Sequence, residues 1–322
     1  MQKQSNRDSF HIGIDLMGCD TQPEQIAAAI EEITPDLPPH FSVVLIGTSG
    51  SFTPKKDPRI SYVLAEDFIA MDEDPLYAIR RKKNSSLSLG TQMLREKKID
   101  AFISAGNTGA LIASAILTLS RLPGIEHPAL LTLMPTTQPK SVAVLDVGAN
   151  PTAKAHHLVQ YAAMGLAFQR SCGIENPTVG LLNIGAEERK GTPEVRDAYK
   201  KLAELKETFI GNVEGRDAFN GHVDVIVTDG FTGNIFLKTA EGIASFVLSQ
   251  IEQAAAAEIF ATLRKRLHYA EYPGAVLCGV EGIVMKCHGD GMPNAFRESL
   301  KETCRLLDND FLTKIKELLA SY

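Results

Sequence analysis

One phrase recurs along this chain and limits what it can fold into: a short apolar run, a loop of glycine and small polar residues, then a helix-like stretch. "HIGIDLMGCDTQPEQIAAAIEEI" opens it, with Pro23 placed for a first helical turn and Glu24 near the positive helix end. "FSVVLIG" is a bare apolar run, and "IDAFISAGNTGALIASAILTLSRLPG" repeats the whole phrase before Pro123-Gly124 closes it. "SVAVLDVGANPTAKAHHLVQYAAMGLAFQR" places Pro151 where its helix should open. "TVGLLNIGAEERKGTPEVRDAYKKLAEL" and "HVDVIVTDGFTGNIFLKTAEGIASFVL" follow. Continuous apolar strands of about five or six residues alternating with helices predict an α/β fold with a largely parallel sheet covered on both faces. No low-complexity linker or charge block cuts the chain, so residues 1–322 read as one compact α/β unit, its length also allowing two interlocking lobes. Residues 243–270, "IASFVLSQIEQAAAAEIFATLRKRLHYA", depart from the phrase as a long helical segment ending in the cations Arg264, Lys265 and Arg266. Those cations either complement the helix dipole or dock an acidic partner, and composition does not separate the two.

A net charge of -6 argues against general affinity for nucleic acid. No apolar stretch reaches the roughly 18 residues that span a bilayer, and "MQKQSNRDSF" is not a signal peptide, so the expectation is a cytoplasmic protein. The five cysteines form no CxxC, which suggests neither a zinc site nor a disulfide scaffold.

Open α/β sheets bind ligands at the carboxyl ends of their strands, where glycine-rich loops and helix N-termini present backbone N–H groups to anions. The loops here gather at those ends, expected on one edge: Asp15 with "MGCD", then "SAGNTGA", "DVGAN", "NIGAEERKG" and "TDGFTGN". In "GNTGA", Asn107 and Thr108 stand at the mouth of an apolar helix, where capping alone would account for one of them. In "TDGFTGNIFLKTAEG", Asn234 and Lys238 share a helix face; Lys238 is either a phosphate clamp or a surface lysine paired with Glu241. "MDEDPLYAIRRKKNSS" carries the cations Arg80 to Lys83 followed by Ser85 and Ser86, a solvated charge run or a receptor for an anionic substrate. His288 precedes another glycine turn, in a structural or a functional role. No GxSxG elbow, HExxH, complete GxxxxGK[ST] or strand-following GxGxxG is present, which removes support for serine hydrolysis, P-loop chemistry and hydride transfer.

In order along about residues 11–300, "IGIDLMGCD", "MDEDPLYAIRRKKNSS", "DAFISAGNTGALIAS", "LPGIEHPAL", "LDVGAN", "LLNIGAEERKG", "VEGRDAF", "VDVIVTDGFTGNIFLKTAEG" and "HG...NAF" resemble the PlsX-type phosphate acyltransferases of bacterial phospholipid synthesis. The resemblance implies a three-layer αβα fold with a mixed, mostly parallel sheet, similar to isocitrate and isopropylmalate dehydrogenases and to phosphotransacetylases. It implies a homodimer that takes a fatty acyl group from acyl carrier protein to inorganic phosphate, without a metal or cofactor. The acyl phosphate would pass to a membrane glycerol-3-phosphate acyltransferase, leaving peripheral contact with the membrane open. Cys19 stands where the family has a second glycine, "DGMPNAF" replaces a serine-rich turn, and the stretch before "EYPGA" is shorter than in many relatives.

Under that resemblance phosphate attacks a thioester carbonyl. Hydrogen phosphate is nucleophilic near neutral pH and a thiolate of pKa about 8.5 leaves readily, so no side-chain nucleophile is needed. The protein must hold the dianion and stabilise the tetrahedral oxyanion. The catalytic candidates are Asn107, Thr108, Asn234, Lys238 and His288. The candidates for binding substrate or phosphate are Asp15, Arg80, Lys83, Ser104, Gly106, Gly109, Asn150, Asn183, Glu187, Lys190, Asp229, Thr232 and Gly233. Arg264, Lys265 and Arg266 are the candidates for docking the carrier. A phosphotransacetylase acting on acyl-coenzyme A, and a non-catalytic regulator binding a phosphorylated metabolite, are the alternatives.

Overall fold

The apolar runs become strands and helices fill the intervals between them. The structure, a computed structural model, describes residues 9–53, 57–254, 274–287 and 293–320. The chain divides into two units, Met1–Leu122 with Tyr272–Leu312, and Pro123–Glu271 with Thr313–Tyr322.

In the first unit, β1 (Phe10–Asp15), β2 (Phe41–Thr48), β3 (Ile60–Ala65) and β4 (Ala101–Ser104) lie parallel in the order β3-β2-β1-β4. The chain returns late to add β11 (Ile283–Lys286), parallel to β4, and β10 (Ala275–Cys278), antiparallel to β11. Helix α1 (Pro23–Ile33) packs against the helix Pro293–Asp308, while α2 (Pro75–Arg81) and α3 (Ser86–Arg95) pack against α4 (Thr108–Thr118). α1 opens on Pro23 as predicted and buries Ile26, Ala27, Ala29, Ile30 and Ile33, one face of a 3.6-residue period. Helix α4 has no such polarity; it buries Ala110, Leu111, Ile112, Ser114 and Ala115, as its nearly unbroken apolar sequence requires.

The second unit repeats the plan. β5 (Ala129–Pro135) is antiparallel to β6 (Ser141–Leu145), after which β9 (Val225–Val227), β7 (Val179–Leu182) and β8 (Phe209–Val213) run parallel in the order β6-β9-β7-β8. Helix α5 (Ala155–Ser171) lies on β6, β9 and β7 and against α6 (Pro193–Leu202), and α7 (Gly230–Ala254) contacts β6. Both units therefore carry a mostly parallel sheet ending in one antiparallel strand, with helices flanking it: the mixed three-layer α/β class that the sequence predicts.

One helix start differs from expectation. Pro151 precedes α5, which opens only at Ala155. The N–H groups of Gly148, Ala149 and Asn150 are bound to the Asp146 carboxylate, and this holds the preceding residues in a loop. Of the long segment 243–270, α7 accounts for the part to Ala254; Arg264, Lys265 and Arg266 lie outside the described residues.

Candidate active site

In the first unit the last residues of three neighbouring strands form a row. Asp15 of β1 pairs in register with Ser104 of β4, and Ser104 with Lys286 of β11. Each ends its strand, which apart from the exposed His11 of β1 is otherwise apolar, and all three are buried. Asp15 accepts the Met17 N–H at 3.0 Å and the Ser104 hydroxyl at 2.9 Å, with Ser86 from the first turn of α3 as a further side-chain donor. Burial outweighs these bonds and the nearby charge of Lys286, and pushes the Asp15 carboxyl up to about 6. Lys286 donates through Nζ to the carbonyl of Ala105 at 3.1 Å and to that of Cys287.

The loop after this row leads into α4. Gly106 donates its N–H to Ser104 Oγ at 3.1 Å. Asn107 is the N-cap: Oδ1 accepts the Ala110 N–H at 3.0 Å, while Nδ2 donates to the carbonyls of Met71 at 3.1 Å, Glu73 at 3.0 Å and Ala70 at 3.4 Å. Its amide is thus spent within the protein, capping α4 and tying down the loop before α2. By contrast, the N–H groups of Thr108 and Gly109 and the Thr108 hydroxyl have no partner among the described residues. A Cβ on Gly109 would lie 2.6 Å from the Pro75 ring, so only glycine lets α2 seat against this helix mouth. Two unpaired N–H groups at a positive helix end are an anion-binding feature. Asn107→Ala should lower unfolding stability by about 2 kcal/mol, the upper end of a cap loss, because the loop ties go with it. Asn107→Asp, which keeps the acceptor for Ala110, should recover about half of that in urea unfolding.

Many of the loop donors of the second unit are taken up within the chain. The Asp146 carboxylate accepts the N–H groups of Leu130 at 3.1 Å, Gly148 at 3.0 Å, Ala149 at 2.8 Å and Asn150 at 2.7 Å. It also accepts the Asn150 amide at 2.9 Å, and burial pushes its pKa up. The donors predicted to receive an external anion at "DVGAN" hold the chain's own. Asn150 also donates to Pro128 O at 2.7 Å, and its Oδ1 faces His127 Nδ1 at 3.1 Å. At the α7 mouth Asp229 accepts the Thr232 N–H at 2.9 Å and the Thr232 hydroxyl at 2.8 Å, and Gly230 donates to Asn150 O at 2.8 Å. Gly233 lies directly on the Asp146 carbonyl, with no room there for a side chain. Asn234 is exposed near Gly148, and Lys238, 62% exposed, pairs with Glu241 at 2.8 Å. In the "NIGAEERKG" loop Asn183 donates to Lys190 O at 3.1 Å, and Glu187 and Lys190 are exposed, their charges 3.8 Å apart.

Each unit thus gathers its own loops: "MGCD" and "SAGNTGA" in the first, "DVGAN", "NIGAEERKG" and "TDGFTGN" in the second. Arg80 and Lys83 are exposed at the end of α2, and His288 lies outside the described residues. Cys19 donates to Thr21 O, and burial pushes its thiol pKa up, which disfavours the nucleophilic thiolate. Glu126, His156 and His157 are the one group with metal-ligand spacing among the described residues. His157 Nδ1, however, accepts the Lys154 N–H at 3.2 Å, leaving the ring proton on Nε2 to face Glu126 at 3.4 Å. A metal at Nε2 would need that proton on Nδ1, where the Lys154 N–H already points. The group serves as a helix cap. Sequence reasoning missed Lys286 and Asp146; Ser86, read there with Ser85 as a possible receptor for an anionic substrate, instead donates to Asp15. The available signal was the polar residue that ends each buried strand.

Residues 10–314 match the model of the family described as "Fatty acid synthesis protein". The phosphate acyltransferase of Thermoanaerobacter pseudethanolicus is 41% identical over 330 residues, covering 97% of this chain and 98% of that protein. Among solved structures, a phosphotransacetylase from Streptococcus pyogenes superposes with a TM-score of 0.62 at 15% identity, covering 95% of this chain and 94% of that one. A 4-hydroxythreonine-4-phosphate dehydrogenase from Klebsiella pneumoniae gives a TM-score of 0.53 at 13% identity, covering 92% and 100%. Those two likenesses bear on the fold alone, and they agree with the α/β class described above. Matched along almost its whole length by both the family model and a close relative, the chain belongs to the fatty acid synthesis protein family of phosphate acyltransferases.

Proposed function

We propose that this protein transfers a fatty acyl group from acyl carrier protein to inorganic phosphate, yielding acyl phosphate for phospholipid synthesis. The observation that carries the reading is the α4 mouth: the unpaired N–H groups of Thr108 and Gly109 stand beside the buried row Asp15–Ser104–Lys286. These N–H groups and the Thr108 hydroxyl hold hydrogen phosphate, with the Lys286 charge behind the Ala105 carbonyl adding positive potential. A phosphate oxygen attacks the thioester carbonyl, the new C–O bond forms, and the C–S bond breaks as the tetrahedral intermediate collapses. The proton of hydrogen phosphate ends on the departing thiolate. Asp15, its carboxyl near 6 and hydrogen-bonded to Ser104, is poised to take that proton and return it. Burial, which raises the Cys19 thiol pKa, disfavours that thiol as a nucleophile and supports direct attack by phosphate.

The same reading places the protein in the cytoplasm as a homodimer, its product consumed by a membrane glycerol-3-phosphate acyltransferase. No helix among the described residues is long and apolar enough to cross a membrane. The α7 face carrying Phe231, Ile235, Ile243 and Phe246 is exposed, which supports pairing of two copies.

The test is to incubate purified protein with labelled phosphate and long-chain acyl-acyl carrier protein, measuring acyl phosphate and released carrier thiol. Equal amounts of both, dependent on phosphate, are expected. Preference for a short acyl-coenzyme A would favour the phosphotransacetylase alternative, and phosphate binding without turnover would favour a regulator.

A further inference from the structure

The surface around α2, beside the α4 mouth, is amphipathic; Arg80 and Lys83, candidates for phosphate binding in the sequence, are exposed there and form no part of the phosphate site proposed above, which is built from the α4 mouth and the Asp15–Ser104–Lys286 row. Leu76 and Tyr77 are 53% and 60% exposed on the helix, and Met71 is exposed in the loop before it. Arg80, Arg81 and Lys83 follow, all exposed and without a carboxylate partner among the described residues. Lys82 differs: it pairs with Glu73 at 2.8 Å and Asp67 at 3.6 Å and donates to Phe68 O at 2.8 Å. The Arg81 guanidinium lies over the Tyr77 ring, 5.4 Å from its centroid, and donates to the Tyr77 hydroxyl. Tyr77 with the flanking arginines Arg80 and Arg81 supplies the aromatic and arginine residues enriched at protein interfaces.

This patch is fixed to the candidate site. Asp74 caps α2 by accepting the Tyr77 N–H at 2.8 Å, Pro75 rests where a Gly109 side chain would be, and Asn107 holds the carbonyls of Met71 and Glu73. A partner seated on α2 therefore lies next to the unpaired N–H groups of Thr108 and Gly109.

We infer that the α2 patch docks the acidic carrier protein that presents the acyl thioester, an inference that rests on the function proposed above. Carrier and enzyme are both net negative, so their encounter needs a local positive surface to overcome the repulsion of a chain carrying a charge of -6. An anionic membrane fits less well. Asp72 and Asp74 are exposed at the opposite end of the same patch and would face a continuous sheet of headgroup charge. A helix of 7 residues also offers little apolar length to bury in lipid. A folded partner, whose acidic face is bounded, can contact Arg80, Arg81 and Lys83 and leave the aspartates in water.

The test compares the wild type with the triple variant Arg80→Glu, Arg81→Glu, Lys83→Glu, and with the double variant Arg80→Glu, Lys83→Glu, which leaves the Arg81–Tyr77 contact intact. Two substrates are used: the acylated carrier, and the same acyl group on N-acetylcysteamine, a small neutral thiol. For the carrier, kcat/KM should fall at least about thirtyfold in the triple variant, mainly through KM, and its salt dependence should flatten. For the small thioester, kcat/KM should stay within about twofold. Equal losses on both substrates, or none on the carrier, would overturn the inference. So would loss of binding to phosphatidylglycerol vesicles with carrier kinetics unchanged, the outcome expected of a membrane patch. If the wild type turns over neither thioester, acyl transfer itself is wrong. Titration of wild type and triple variant with the acylated carrier then decides the patch, and equal affinities would refute it.

Discussion

Replacing Asp15 by asparagine should give a protein that is more stable at neutral pH and at least about a hundredfold less active. Burial lifts this carboxyl from an ordinary 3.8 to about 6 in the folded chain. Between about pH 4 and pH 6 the folded protein therefore holds a proton that the unfolded chain has released, and stability falls as pH rises through that window. Above about pH 6 both states are ionised and the full penalty, on the order of 3 kcal/mol, persists. Asparagine cannot ionise and retains an acceptor, so the variant should match the wild type near pH 4 and exceed it by up to that amount from about pH 6 upward. Urea unfolding across this range measures the difference. Turnover should drop at least about a hundredfold, since the proton relay goes with the charge. A stability difference that is flat with pH, or a fully active variant, would remove Asp15 from the role given to it. Lower turnover together with the expected pH-dependent gain in stability would be the pattern of stability given up for chemistry.

Asp146→Ala should have the opposite character, a loss of fold out of proportion to one side chain. It deprives the N–H groups of Leu130, Gly148, Ala149 and Asn150, and the Asn150 amide, of their acceptor in a closed environment. Unpaired buried donors each carry a penalty of about 1–3 kcal/mol, and partial rewetting leaves an expected net loss of about 3–5 kcal/mol. Hydrogen exchange at Gly148, Ala149 and Asn150 should accelerate together. Asp146→Asn keeps the oxygen facing Leu130, Gly148 and Ala149 but turns an NH2 toward the Asn150 donors, so it should lose roughly half as much. Unchanged exchange in the alanine variant would mean that the loop is held by something other than this carboxylate.

The fold was legible because β4 and β7 are buried along their whole lengths, and uninterrupted apolar runs between helices allow few other arrangements. The Pro151 helix start was not legible, since it depends on where the Asp146 carboxylate turns. Asp15 and the "SAGNTGA" loop stood out locally as polar residues closing an apolar strand. Lys286 closes "IVMK" in the same way, but its importance comes from pairing beside Ser104, a contact spanning most of the chain. Asn107 looked like a ligand donor because the carbonyls it binds belong to a loop more than thirty residues earlier. The cap at the α7 mouth, by contrast, was written in the sequence: an aspartate three residues before a threonine accepts that residue's N–H and hydroxyl, donors an anion could otherwise use.

Lys286 also sets an order of events. β11 is the last parallel strand of its sheet to be synthesised, yet it lies inside that sheet, between β4 and β10. While the ribosome is still translating the second unit, the emerged Met1–Leu122 segment carries Asp15 beside Ser104, with the β11 flank of Ser104 uncovered. The row is completed only when the late strand arrives, so Lys286 joins Ser104 only after nearly all of the chain has been made.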